Sequence, residues 1–178
     1  MNGNLKAPAE AMPDAPPVQY LTFALGREMF ASDIRSIKEI IEYAGLTTVP
    51  MMPPFIRGVI NLRGAVVPVI DLSVRFGREP TVLTRRTCVV IFEVCDDHGW
   101  HDIGVVVDAV SEVLEIPASA IEPPPAFGAR IRAEFISGMA KLESGFAIVL
   151  EVGGVLSVDE LAGLAGVADA DMAGRAAA

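Results

Sequence analysis

The stretch FIRGVINLRGAVVPVIDL, residues 55–72, sets two Val/Ile-rich arms around a polar interruption, Asn61-Leu62-Arg63-Gly64. The arms read as strands, because β-branched side chains suit a pleated surface and the Gly-containing centre suits a turn. Pro68 lacks an amide donor, which favours an edge strand or a bulge for the second arm. An Arg between two apolar arms either serves the turn or is presented to a partner.

The skeleton of this stretch occurs twice. Phe55-Ile56-Arg57-Gly58-Val59 returns as Phe135-Ile136-Ser137-Gly138-Met139, 80 residues on, and VVPVID (66–71) returns at the same spacing as FAIVLE (146–151). Upstream, IKEIIE (37–42) matches VSEVLE (110–115) at a spacing of 73. Three matches in one order indicate a duplicated unit, and a period this long suits two small β units packed as a pair. At the hairpin the copies diverge: Asn61-Leu62-Arg63-Gly64 stands against Lys141-Leu142-Glu143-Ser144. Arg63 is therefore not needed to fold the unit. Asp71 and Glu151 share a position at a strand end, which suits a cap for the following turn better than a catalytic pair. Glu39 and Glu112 also match.

Outside the repeat the signals are simpler. Residues 1–17 are rich in Ala and Pro and read as a flexible tail. Order begins at VQYLTFAL, where Leu21, Phe23 and Leu25 alternate, and Gly26-Arg27-Glu28 reads as a hairpin turn. IKEIIEY fits both a helical stripe and a strand. VPMMPPF is a break, with Met51 and Met52 expected to fill gaps between units. CVVIFEV and WHDIGVVVDAV flank a DDHG turn, with Trp100 expected to pack on the fold. Ser157 and Glu160 form a capping box before Leu161 and Leu164, predicting a short terminal helix, and the chain beyond about 166 reads as frayed. Turn signals every 8–12 residues predict small barrels or a sandwich.

Composition excludes several classes of function. The 178 residues carry a net charge of −9, so a polyanion is a poor partner and no nucleic acid is expected. One stretch departs from this: Arg57, Arg63, Arg75, Arg78, Arg85 and Arg86 face only Asp71 and Glu79 between residues 57 and 86. That is either a solvated basic face or a surface for an acidic protein partner. Cys88 and Cys95 lie at the two ends of CVVIFEVC. A strand of that length spans roughly 23 Å, against the ~7 Å a disulfide tolerates, so both are expected as thiols of a cytoplasmic protein. No apolar run is long enough for a membrane span, and no signal peptide or membrane insertion is expected.

Catalytic signatures are missing: the chain holds no GxSxG, Walker A, GxGxxG or HExxH pattern. Cys95, His98 and His101 are zinc-ligand types, but DDHG serves a turn equally well, and no metal or cofactor is expected. In IEPPPAF, a stiff polyproline run leads to Phe127, which either anchors an interface or folds back onto the core.

Taken together, YLTFALGREMFASDI, IKEIIE, VPMMPPFIRGVINLRGAVVPVIDL, VVVDAVSEVLEI, IEPPP and FISGMAKL resemble the chemotaxis coupling proteins of the CheW family. The resemblance spans about residues 18–165. No phosphotransfer, dimerisation, ATP-binding or receiver segment is expected within this length, which sets the reading apart from CheA kinases and CheV relatives. The resemblance implies a mainly β fold of two pseudo-repeated five-stranded SH3-like barrels with short connecting helices. The first would cover about 18–80 and the second about 85–155, with strand exchange between them allowed. It implies a non-catalytic, cytoplasmic adaptor, monomeric by itself, which couples chemoreceptor cytoplasmic domains to the regulatory domain of the histidine kinase CheA. By motif match, receptor contacts would fall on Ile37, Glu39, Ile40, Gly58, Asn61 and Arg63. Kinase or ring contacts would fall on Glu122 and Phe127. The polar DDHGWHD turn and GGVLSVDEL depart from the family pattern.

Overall fold

A computed structural model describes residues 16–124 and 135–156. The first hairpin joins β1 (Val18–Leu25) to β2 (Glu28–Asp33) around Gly26, whose φ of +61° suits a residue without a Cβ. Asp33 ends β2 by accepting the Arg35 amide, which starts one 3-10 turn, Ile34–Ser36. β3 (Ile37–Glu42) follows, so the ambiguous IKEIIE is a strand. Six residues are too few to separate a period of 2 from 3.6, and the ladder to a neighbouring strand decides the matter. The remaining elements are β4 (Ile56–Leu62), β5 (Ala65–Asp71), α1 (Leu72–Arg75), β6 (Cys88–Asp96), β7 (Gly99–Val107), β8 (Ala109–Ile116), β9 (Ile121–Glu122), β10 (Ile136–Leu142), β11 (Gly145–Leu150) and α2 (Val152–Val155).

The fold is mainly β, in two packed sheets. The first sheet runs β8-β1-β2-β11-β10-β9 and the second β3-β6-β7-β5-β4. Neither belongs to one half of the chain. The first two strands of the first copy, β1 and β2, sit with the last four of the second, and β6 and β7 of the second sit with the last three of the first, so the boundaries at about 18–80 and 85–155 describe the sequence and not the sheets. The exchange is symmetrical in detail. Ile37 and Ile40 pair with Phe92 and Val90, while Val110 and Val113 pair with Phe23 and Leu21. Parallel ladders join β5 to β7 and β11 to β2, and the same bulge interrupts β4 at Ile56/Gly58 and β10 at Ile136/Gly138.

Three apolar clusters follow from this arrangement. Leu21, Phe23, Phe30, Val90, Phe92 and Val105 join the two sheets across a shared core. On their other faces the sheets enclose their own small clusters, one with Ala31, Ala140 and Val149, the other with Val67, Val89, Ile91 and Val106. Each sheet is closed on itself. The chain leaving β8 adds β9 to β10 at the opposite edge, and Thr47, beyond β3, bridges to Val59 of β4. Both crossings pass over a glycine. A Cβ on Gly58 would lie 2.6 Å from the Thr47 carbonyl oxygen, and one on Gly138 would lie 2.6 Å from Ile121 Cγ2.

Several local expectations change. β5 lies inside its sheet, between β7 and β4, so Pro68 is not on an edge strand. The parallel ladder begins at Val69, and the proline therefore precedes the β7 pairing, where its missing amide deprives no partner. Met51 is exposed, with φ +62°, and fills no gap. Trp100 is 68% exposed, because it stands on the β6–β7 hairpin beyond the end of the core. Cys88 and Cys95 stand near the two ends of β6 as free thiols. The N-terminal tail (1–15), the capping box at Ser157 and Glu160 and the segment beyond 166 lie outside the described residues.

Candidate functional site: the hairpin turn and the β3 edge

Between Leu62 and Ala65, the last pair of the β4–β5 ladder, Arg63 and Gly64 both have positive φ, +53° and +87°. Two successive left-handed residues form the type I′ turn that suits the twist of a hairpin. Asn61 supports it by accepting the Gly64 N–H at 2.8 Å through Oδ1. Gly64 suits its position, whereas Arg63 occupies a conformation costing a residue with a Cβ about 1–2 kcal/mol. The other copy turns differently, since neither Glu143 nor Ser144 has positive φ and Gly145 carries it instead. The hairpins thus differ in backbone as well as charge.

The Arg63 side chain, 70% exposed, reaches the far edge of the same sheet and donates from Nη2 to Glu39 Oε2 at 2.8 Å. Glu39 Oε1 is buried and has no hydrogen-bond partner. On β3 the pairing separates the candidate residues into two groups. Ile37 and Ile40 lie opposite Phe92 and Val90, which belong to the shared core, so they line the side between the sheets. Ile40 remains 41% exposed because β3 is an edge strand. Glu39 lies opposite Ile91 and shares the enclosed face of its own sheet. Gly58 is buried below the Thr47 crossing, and its place is to admit that crossing and hold β4. The six residues are thus an apolar pair, an ion pair, a turn-supporting amide and a buried glycine around one edge.

One neighbour went unread in the sequence. Lys38, in the β3 bulge, donates to Asp102 at 2.8 Å and stands 3.7 Å from Glu93. Alternation hides such a contact, because a bulge turns the side chain out of phase. At the root of the hairpin, buried Asp71 caps α1 through the Ser73 amide, as its position at a strand end suggests. It also accepts from Arg57 Nη1 at 2.8 Å and from the Thr81 amide and hydroxyl at 2.9 Å each. Its counterpart Glu151 makes no side-chain capping bond.

Elsewhere, Glu122 sits on β9 opposite Met139, half exposed, with Lys141 Nζ 2.7 Å from Oε1. Phe127 lies outside the described residues. In the DDHG turn, Asp96 Oδ1 accepts the His98 amide at 2.8 Å and meets His101 Nε2 at 2.9 Å. Against a desolvation penalty, these two partners hold the Asp96 carboxyl below its usual value. The Cys95 thiol instead faces the Asp96 carbonyl at 3.8 Å. Among the described residues no three His, Cys, Asp or Glu side chains are grouped to hold a metal ion, and no helix is long and apolar enough to cross a membrane.

The model of the CheW-like domain family matches residues 19–160. The chain belongs to that family. A chemotaxis protein CheW of Klebsiella aerogenes is 35% identical over 144 residues, covering 81% of this chain and 84% of the relative. One of Treponema pallidum is 31% identical over 151 residues, covering 83% and 86%. Among solved structures, the CheW scaffolding protein of Thermoanaerobacter tengcongensis superposes with a TM-score of 0.70 at 33% identity, covering 80% of this chain and 90% of that one. This CheW-family chain is accordingly a non-catalytic chemotaxis scaffold. The side chains of Asp71, Arg57 and His101 have structural partners in it.

Proposed function

We propose that this CheW-family protein couples the cytoplasmic tip of chemoreceptors to the regulatory domain of the histidine kinase CheA. It would act in the cytoplasm, as a monomer recruited to receptor arrays, and place kinase activity under receptor control. The observation that carries the receptor contact is the exposed Arg63, held on a strained turn beside an edge strand with apolar Ile40. A receptor tip is a helical bundle, and its apolar ridge fits a side lined by Ile37 and Ile40. The Arg63–Glu39 pair adds selectivity. Only Nη2 of Arg63 is committed to Glu39, and the guanidinium is exposed, so its remaining donors can meet a receptor carboxylate or amide while the pair stays made. Asn61 and Gly58 hold the turn and strand that carry it. Glu122 and Phe127 belong to the kinase or ring contact. Signalling then requires only a change in how two docked surfaces sit.

The test is reconstitution with receptor-containing membranes and CheA. Arg63→Glu reverses the charge beside Glu39 and is expected to weaken receptor-dependent recruitment and kinase control about tenfold, a loss of ~1.4 kcal/mol, more than it lowers the melting temperature. Failure of the wild-type protein to recruit CheA would overturn the coupling role. Equal loss of coupling and stability would make Arg63 structural.

A further inference from the structure

The basic stretch of residues 57–86 is largely consumed inside the fold. Arg57 pairs with Asp71, Arg63 with Glu39 and Arg78 with Glu28, each at 2.8 Å. Arg75 stacks between the repeat-related Phe55 and Phe135, its guanidinium 4.9 and 5.0 Å from the ring centres. Arg85 and Arg86 are left exposed, with no carboxylate partner among the described residues. They occupy the two corners of a turn closed by the Thr87 N–H on the Thr84 carbonyl at 3.3 Å. The turn is braced by the Thr87 hydroxyl, which accepts the Thr84 amide at 2.8 Å, and by the Thr84 hydroxyl, which accepts the Arg86 amide at 3.1 Å. Immediately before it, Val82 and Leu83 are 76% and 46% exposed.

This exposure belongs to an anchored segment. Thr81, on one side, is buried and bonded through both amide and hydroxyl to the buried Asp71 carboxylate. Thr87, on the other, is buried where β6 begins. Between two buried threonines, the linker of the two copies therefore offers two aliphatic side chains and two unpaired guanidinium groups from a short, held backbone. Ordering costs are low for such a surface, because its conformation is already set.

We propose that residues 82–86 are a docking surface for an acidic protein segment, one carrying carboxylates beside an apolar side chain. The choice of occupant rests on charge complementarity. Each of the other four arginines of the stretch has an internal partner, and these two are matched by none, while their planar forks fit carboxylates in a paired geometry. Val82 and Leu83 supply apolar contact that a polyanion alone would not use. A nucleic acid is disfavoured by the −9 net charge of the chain. The surface lies on the linker, apart from the Arg63 turn, and does not depend on the receptor reading.

The experiment uses the full chain, isotope-labelled for amide spectra. It is titrated with a short soluble peptide carrying leucine and glutamate, with the same peptide carrying glutamine for glutamate, and with phosphatidylserine vesicles. Expected are shifts confined to residues 81–87 with the glutamate peptide, reduced by salt and weakened about tenfold by Arg85→Glu/Arg86→Glu. Val82→Ser/Leu83→Ser is expected to weaken binding while the spectrum outside the linker stays unchanged, which separates lost docking from lost folding. Equal binding of the glutamine peptide, shifts elsewhere on the surface, or response to the vesicles alone would each overturn the proposal.

Discussion

Arg63 shows most directly how a residue can oppose the stability of its own turn. The first corner of a type I′ turn prefers Asn, Asp or Gly, yet an Arg holds it at φ +53°. Arg63→Asn relieves the turn but removes the counter-charge of the largely buried Glu39, so it is expected to move the denaturation midpoint little, within about 1 kcal/mol, while receptor coupling falls. A variant that keeps full coupling would show that the guanidinium is dispensable. Trp100, the single tryptophan, gives a simple optical check. Its emission is expected to be that of a solvated indole, readily quenched by iodide, and Trp100→Ala to change stability by less than ~0.5 kcal/mol. A blue-shifted, protected emission would contradict its place at the hairpin end. Asp33 provides a small pH signature. Its hydrogen bonds to Arg35 hold the carboxyl below its usual value, so its contribution is present above the unfolded carboxylate pKa and fades as pH falls. Asp33→Asn is expected to flatten that acid limb slightly in pH-dependent unfolding.

At the scale of elements, the two copies form an internal control. Both place a glycine under a crossing strand, and both glycines are legible as repeats, but the crossing itself is not. Gly58→Ala and Gly138→Ala are each expected to cost about 1–3 kcal/mol, measured by chemical denaturation. Tolerance at both sites would mean the crossings can move. The strand-end acids differ instead. Asp71 is buried with an Arg, two amides and a hydroxyl around it, whereas Glu151 caps nothing through its side chain. Asp71→Ala is expected to cost ~3 kcal/mol, since it leaves Arg57 half-buried without its counter-charge, and Glu151→Ala under ~0.5 kcal/mol. The hairpins, the β1 alternation and the DDHG turn were legible because each rests on residues adjacent in sequence. β3 was not, being too short for its period, and Lys38 was not, because a bulge breaks alternation.

For the whole molecule, reciprocal exchange makes the two copies interdependent. One sheet takes two strands from the first copy and four from the second, the other two from the second and three from the first, and the shared core draws Phe23 and Phe92 from the two equivalent first strands. A chain of residues 18–86 alone would lack the neighbours of β1, β2 and β3 supplied by β8, β11 and β6. It is expected to give no folded monomer by circular dichroism and amide dispersion, while the full chain unfolds in one transition. A stable monomeric half would contradict this. Phe92→Ala should destabilise both sheets together, by about 3–5 kcal/mol.

By itself, the sequence determined the strands, most of the turns, the duplication and the residues that interrupt it. These follow from local conformational preference and from apolar spacing, which a single segment carries. It also pointed to Arg63, because two copies of one skeleton expose whatever folding does not require. Only the tertiary structure decided that strands pair across the copies, that Ile40 and Glu39 serve different faces, and that four arginines are satisfied internally while two are not. The reason is physical: both copies carry the same apolar pattern, so either could pair with either. Which strand meets which, and which charge finds a partner, depends on contacts between residues distant in the chain.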